Sequence, residues 1–108
     1  MDLLTLKNKL EKGRYLGGKE IYIKSGDVIC GIESIYKDKD NKYIALLKSK
    51  EETILVDDFL EIIEQINNEI GNVDVFISDS EYNREEKNEV ESIEFAQYET
   101  MKVLFINI

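Results

Sequence analysis

Two stretches of this chain have the 3.6-residue apolar period of an amphipathic helix, and after each of them the period drops to two, the alternation of strands. That switch, made twice in 108 residues, constrains the fold more than any other feature. Leu3, Leu6 and Leu10 form the first stripe, and Asp2 and Gly13 stand at the ordinary cap and stop positions, so the spacing predicts a helix over 2–12. Phe59, Ile62, Ile63, Ile66 and Ile70 form the second stripe, with Glu61, Glu64, Gln65 and Asn68 opposite. Asp57 or Asp58 is the expected cap and Gly71 the expected stop.

The period-two runs read as strands. "KEIYIKSGD" alternates around Ile21 and Ile23 and ends in a turn at Ser25-Gly26-Asp27; "VICGIESIY" and "YIALLKS" flank the polar turn "DKDNK"; "TILV" is a short fourth run. After Gly71 come "VDVFIS", a polar excursion, "VESIEF" and "MKVLFINI". These elements predict an α+β fold, with two helices packed on a mainly antiparallel sheet in a single domain spanning 1–108.

The four-residue segment "IESI" at Ile32–Ile35 returns as "VESI" at Val90–Ile93. With "IYI" matching "VFI" and "KYIALL" matching "KVLFIN", the echo predicts a pseudo-duplicated helix-strand-strand-strand unit over about 2–50 and 56–108, with Leu3, Leu6 and Leu10 matched to Phe59, Ile62 and Ile66. Strict alternation would put Ile32 and Ile35, and likewise Val90 and Ile93, on opposite faces. A bulge or a strand start at each echo is therefore expected, with Glu33 and Glu91 solvated beside it.

"KEIYIKSGD" followed by "GIESIYKDKDNKYIALL", behind a short amphipathic helix, resembles small α+β proteins carried by bacteriophages and other mobile elements over residues 3–48. Many of those have a proline before the first strand, and this chain has no proline. The resemblance implies a genomic setting and transfers no functional residues.

Composition narrows the chemistry. The chain has no histidine, which removes Ser-His and Cys-His nucleophiles and the commonest transition-metal ligand. Cys30 is the single cysteine and sits in the apolar run "VICGI", where it is expected to be inert, and its solitude fits a reducing compartment. No glycine motif of a phosphate loop is present, and no apolar run approaches the length of a membrane span. Leu3–Leu6 is followed by lysines and does not read as a signal peptide, so a cytoplasmic, non-enzymatic protein without cofactor or metal is expected. Asp38, Asp40 and Lys42 share a hairpin turn, where solvation outweighs a nuclease-like triad.

Charge is distributed unevenly. Residues 1–50 carry 11 Lys/Arg against 7 Asp/Glu, whereas residues 51–108 carry 3 against 16. A net charge of -9 disfavours direct nucleic-acid binding, because phosphate contacts need clustered cations. The segment 79–94 concentrates seven acids against two bases, and Asp79, Glu81, Tyr82, Glu85, Glu86, Glu89, Glu91 and Glu94 are the candidate partner-binding residues, with Tyr98 as a further aromatic anchor.

The leading expectation is an acidic interaction protein that meets the basic surface of another protein, inhibiting a host nucleic-acid-binding or defence protein by presenting carboxylates where phosphates would sit. Two alternatives stand beside it. Lys19, Lys24, Lys37 and Lys42 could receive a phosphate or nucleotide in a small-molecule sponge, or the positive half of one copy could meet the negative half of another in a homodimer.

Overall fold

A computed structural model describes residues 1–79 and 87–108. Helix α1 (Leu3–Tyr15) is followed by strands β1 (Glu20–Ser25), β2 (Val28–Asp38), β3 (Tyr43–Ser49) and β4 (Ile54–Leu55), then helix α2 (Val56–Ile70) and strands β5 (Asp74–Ser78), β6 (Asn88–Glu89), β7 (Ser92–Tyr98) and β8 (Met101–Asn107). The fold is α+β, two helices with one large, mainly antiparallel mixed sheet.

The helices depart from expectation at their ends. Asp2 caps α1 as predicted, its carboxylate accepting from the Thr5 N–H at 2.8 Å. Gly13 does not stop that helix but lies buried within it, because α1 runs on to Tyr15. Helix α2 begins at Val56 with Leu55 as N-cap and no side-chain cap. Asp57 and Asp58 instead occupy its first turn, where the helix dipole favours negative charge. Gly71 ends α2 with φ 85°, a left-handed value that glycine adopts without strain.

Strand order is β6-β5-β3-β2-β1-β8-β7, with β4 beside β1. The strands at the two ends of this path are consecutive in the chain, with only Val90 and Glu91 between Glu89 and Ser92. Strand β2 makes a comparable passage: Val28–Cys30 pairs with β1, and beyond them β2 pairs with β3 as far as Asp38.

Register relates the two halves. The parallel pair β1–β8 runs from Glu20 opposite Val103 to Lys24 opposite Asn107, and the parallel pair β3–β5 runs from Tyr43 opposite Asp74 to Leu47 opposite Ser78. Matching Glu20 with Asp74 and Tyr43 with Val103 makes every facing pair coincide. The same matching pairs Ser34, opposite Leu47, with Ser92, opposite Asn107, so that the two echoes fall on equivalent positions. Helix docking follows suit: the Leu3 N–H donates to the Val73 carbonyl and the Val56 N–H to the Lys19 carbonyl, both at 2.8 Å. On that matching, Leu3, Leu6 and Leu10 align with Val56, Phe59 and Ile63, and all six are buried.

The echo marks a break in pairing at both places. Register shifts between Ile32 and Ser34, a bulge that buries Ile32 (4% exposed) and still packs Ile35 against the core. In the second half Val90 and Glu91 fall between β6 and β7; Val90 is 5% exposed and Ile93 packs against the same core. Glu33 and Glu91 are exposed, as alternation around a bulge requires.

Both helices and the sheet share one core, in which Leu6, Leu10, Phe59 and Ile63 meet Ile21, Ile23, Leu46, Ile77, Leu104 and Ile106. The alternate strand positions carry smaller clusters on the opposite face: Tyr43, Ala45 and Leu47 with Tyr36 and Phe76, and the ring pairs Tyr22–Phe105 and Tyr98–Phe105.

Candidate functional site

The bulge at Glu33 positions the principal groove. After β3, the Ser49 hydroxyl accepts from the Glu51 and Glu52 N–H groups at 3.2 and 3.0 Å, turning the chain back over β2 at Gly31. A Cβ on Gly31 would lie 1.5 Å from the Glu52 carbonyl oxygen, so only glycine permits this crossing. The Thr53 hydroxyl then donates to the Ile21 carbonyl, and Ile54–Leu55 pairs with β1. Because β4 takes the place beside β1 that β2 has left, a gap opens between β2 and α2.

That gap is a groove of about 400 Å³. Ile32, Ile35, Ile54, Ile62 and Ile66 contribute its apolar surface, and Glu33, Glu52, Glu69 and Lys37 its charges. The one cation is already engaged, since Lys37 Nζ lies 3.0 Å from Glu69. Lys39 approaches the same carboxylate at 2.9 Å, and hydrogen bonds from Lys39 and Lys37 hold Glu69 below the usual carboxylate range. Sequence reasoning missed this groove.

The corresponding place between α1 and the β7–β8 pair is packed differently. Gly13 of α1 corresponds to Ile66 of α2, and a Cβ there would lie 2.3 Å from Leu104 Cδ2, so α1 seats directly on β8. Phe95, which corresponds to Lys37, packs against the core. The signal that could have revealed the groove is this pair of differences, legible only once the halves are aligned by register.

Charge complementarity joins the halves. The ion pairs among the described residues are Arg14–Asp57 (3.4 Å), Lys24–Glu94 (3.9 Å), Lys37–Glu69, Lys39–Glu69 and Lys48–Asp79 (3.2 Å). Every cation comes from residues 1–50 and every acid from residues 51–108, so part of the asymmetry in the sequence is used within the molecule. Exposed pairs of this kind contribute about 0–1 kcal/mol each.

The candidate partner-binding residues follow one path along the chain. Asp79 ends β5 and pairs with Lys48; Glu89 lies in β6, Glu91 just beyond it and Glu94 in β7, and all four are exposed. Glu94 also accepts from Asn107 Nδ2 at 3.3 Å. Glu81, Tyr82, Glu85 and Glu86 lie outside the described residues. Tyr98 is 56% exposed and meets Phe105 edge-on with centroids 6.4 Å apart.

A second anionic surface is carried by α2, whose Asp57, Asp58, Glu61, Glu64 and Glu69 are accompanied by no lysine or arginine on the helix. Asp58, Glu61 and Glu64 are exposed and join none of the ion pairs among the described residues. Glu51 and Glu52, also exposed, precede the helix.

Other residues considered for chemistry have ordinary roles. Asp38 accepts from the Asn41 N–H at 2.9 Å and from Asn41 Nδ2 at 3.0 Å, which lowers its pKa and closes the β2–β3 turn. Of the four lysines proposed for phosphate, only Lys37 lines the groove; Lys24 lies over the Phe105 ring and pairs with Glu94, and Lys42 is a turn residue with φ 57°. Cys30 is half-buried, and burial pushes its thiol pKa up. Among the described residues no cluster of three Asp, Glu or Cys side chains could hold a metal ion, and no helix is long and apolar enough to cross a membrane.

No family model matches the chain, and no curated protein or solved structure shows significant similarity to it.

Proposed function

We propose that this protein is a non-enzymatic interaction module, acting in the cytoplasm, whose anionic surface engages the basic surface of a partner protein. The observation that carries this reading is α2: three exposed carboxylates, Asp58, Glu61 and Glu64, join none of the ion pairs among the described residues, although the first half supplies cations to other acids. Carboxylates held on a helix at fixed spacing can take the places of phosphates in a basic channel and steer the encounter through long-range attraction. In keeping with the resemblance of the first half to mobile-element proteins, the proposed partner is a host nucleic-acid-binding or defence protein, which this protein inhibits. Ancestral duplication is the accompanying proposal for the matched halves. It explains how the second copy gained acids while the first supplied cations to hold the two together.

The test is affinity capture from bacterial lysate with the wild-type protein and with the double variant Glu61→Lys/Glu64→Lys. A partner retained by the wild type at low salt, released at high salt and absent from the variant supports the reading. Retention of the same partner by the variant contradicts it.

A further inference from the structure

We propose that the groove between β2 and α2 receives a short extended segment of the partner, one that alternates aliphatic with cationic side chains. This deepens, and rests on, the reading of the protein as a binder of basic surfaces.

Three observations place such a segment there. First, the pairing of β2 with β1 ends at Cys30, while its pairing with β3 continues to Asp38. Among the described residues, β2 beyond Ile32 therefore has a strand neighbour on one side only, and its other edge borders the groove. An open edge beside a groove is the arrangement in which an incoming strand gains main-chain hydrogen bonds, and pockets for alternate side chains add specificity.

Second, the isoleucine surface suits aliphatic side chains. At the corresponding place between α1 and the β7–β8 pair, Gly13 lets α1 close on Leu104 and Phe95 packs inward. Third, the charges around the groove are complementary to cations. Glu69 is held by Lys37 and Lys39, but Glu33 and Glu52 join none of the ion pairs among the described residues, and Asp58, Glu61 and Glu64 of α2, likewise outside those pairs, extend the same field. In an extended segment with period two, one set of side chains would meet the isoleucines while the other remained beside the carboxylates.

The test uses the intact protein and a synthetic blocked peptide alternating lysine with valine or isoleucine. An otherwise identical peptide with glutamate in place of lysine serves as control. Backbone amide shifts locate binding, and calorimetry measures it. The lysine peptide is expected to bind with shifts centred on Ile32–Lys37 and on the groove side of α2, and the glutamate peptide is not.

Ile62→Lys places a charge on the apolar surface and Glu33→Lys reverses an exposed rim charge without touching the core. Each is expected to weaken binding by at least about tenfold, the scale of one lost good contact. If neither variant weakens binding while Glu61→Lys/Glu64→Lys does, the groove proposal is overturned and the acidic-surface reading stands. Failure of the lysine peptide to bind the wild type, or equal binding of the glutamate peptide, also overturns the groove proposal. The broader reading falls separately, on the captured partner.

Discussion

Gly31 lies beneath the backbone of Glu52 so closely that a Cβ on the glycine would sit 1.5 Å from the Glu52 carbonyl oxygen. This crossing lets the chain leave β3, pass over β2 and deliver β4 and α2, and so it creates the wall of the groove. Backbone atoms cannot turn aside as a side chain can. Gly31→Ala is therefore expected to destabilise the fold by about 3 kcal/mol or more. Urea denaturation of the variant reads this directly.

Gly13 provides the contrast. Its close neighbour is the end of the Leu104 side chain, which can rotate, and alanine is a better helix residue than glycine by about 1 kcal/mol. Gly13→Ala is expected to cost less than Gly31→Ala in the same denaturation experiment. Equal losses at the two sites would contradict this packing argument.

Tyr22 supplies a prediction at high pH. Its hydroxyl donates to the Glu20 carboxylate, and this bond, with partial burial and the charge of Glu20, pushes the phenol pKa up from 10 to about 12. Because the folded pKa is the higher one, the contribution to stability is whole below pH 10 and disappears as pH rises through 12. In a spectrophotometric titration at the tyrosinate band, one tyrosine should ionise late. Tyr22→Phe should remove that late step, and Glu20→Gln should bring it to lower pH.

Cys30 should be a slow thiol. Desolvation raises its pKa, the charge of Asp79 acts in the same direction, and Lys48 opposes both. The prediction is alkylation at pH 8 slower than that of an unfolded peptide carrying the same "VICGI" segment, with the rate restored by denaturant. A native rate equal to that of the peptide would contradict the burial.

Element types were largely legible, because the helix and strand periods are clear outside the two echoes and the large buried side chains are apolar. The α+β class, the bulge at "IESI" and the glycine stop after α2 follow from spacing alone. Helix ends were less legible. Gly13 reads as a stop by propensity, but tertiary packing against Leu104 keeps it in the helix. Asp57 and Asp58 read as caps, but the backbone of Leu55 is already committed to β1.

The groove was illegible for a related reason. Its apolar surface combines residues from β2, β4 and α2, and helix periodicity assigns Ile62 to the core when it is only half-buried. The acidic half was legible as composition. Its division into acids that pair with the first half, such as Asp57, Glu69 and Asp79, and acids in none of the ion pairs among the described residues, such as Asp58 and Glu61, depends on the fold.

The most direct measurement is the affinity of the captured partner for the wild type and for Glu61→Lys/Glu64→Lys over a range of salt concentrations. An anionic surface predicts wild-type binding that weakens steadily with salt, and a variant that binds more weakly and with a shallower salt dependence. Identical affinities and identical salt dependence for the two proteins would contradict it.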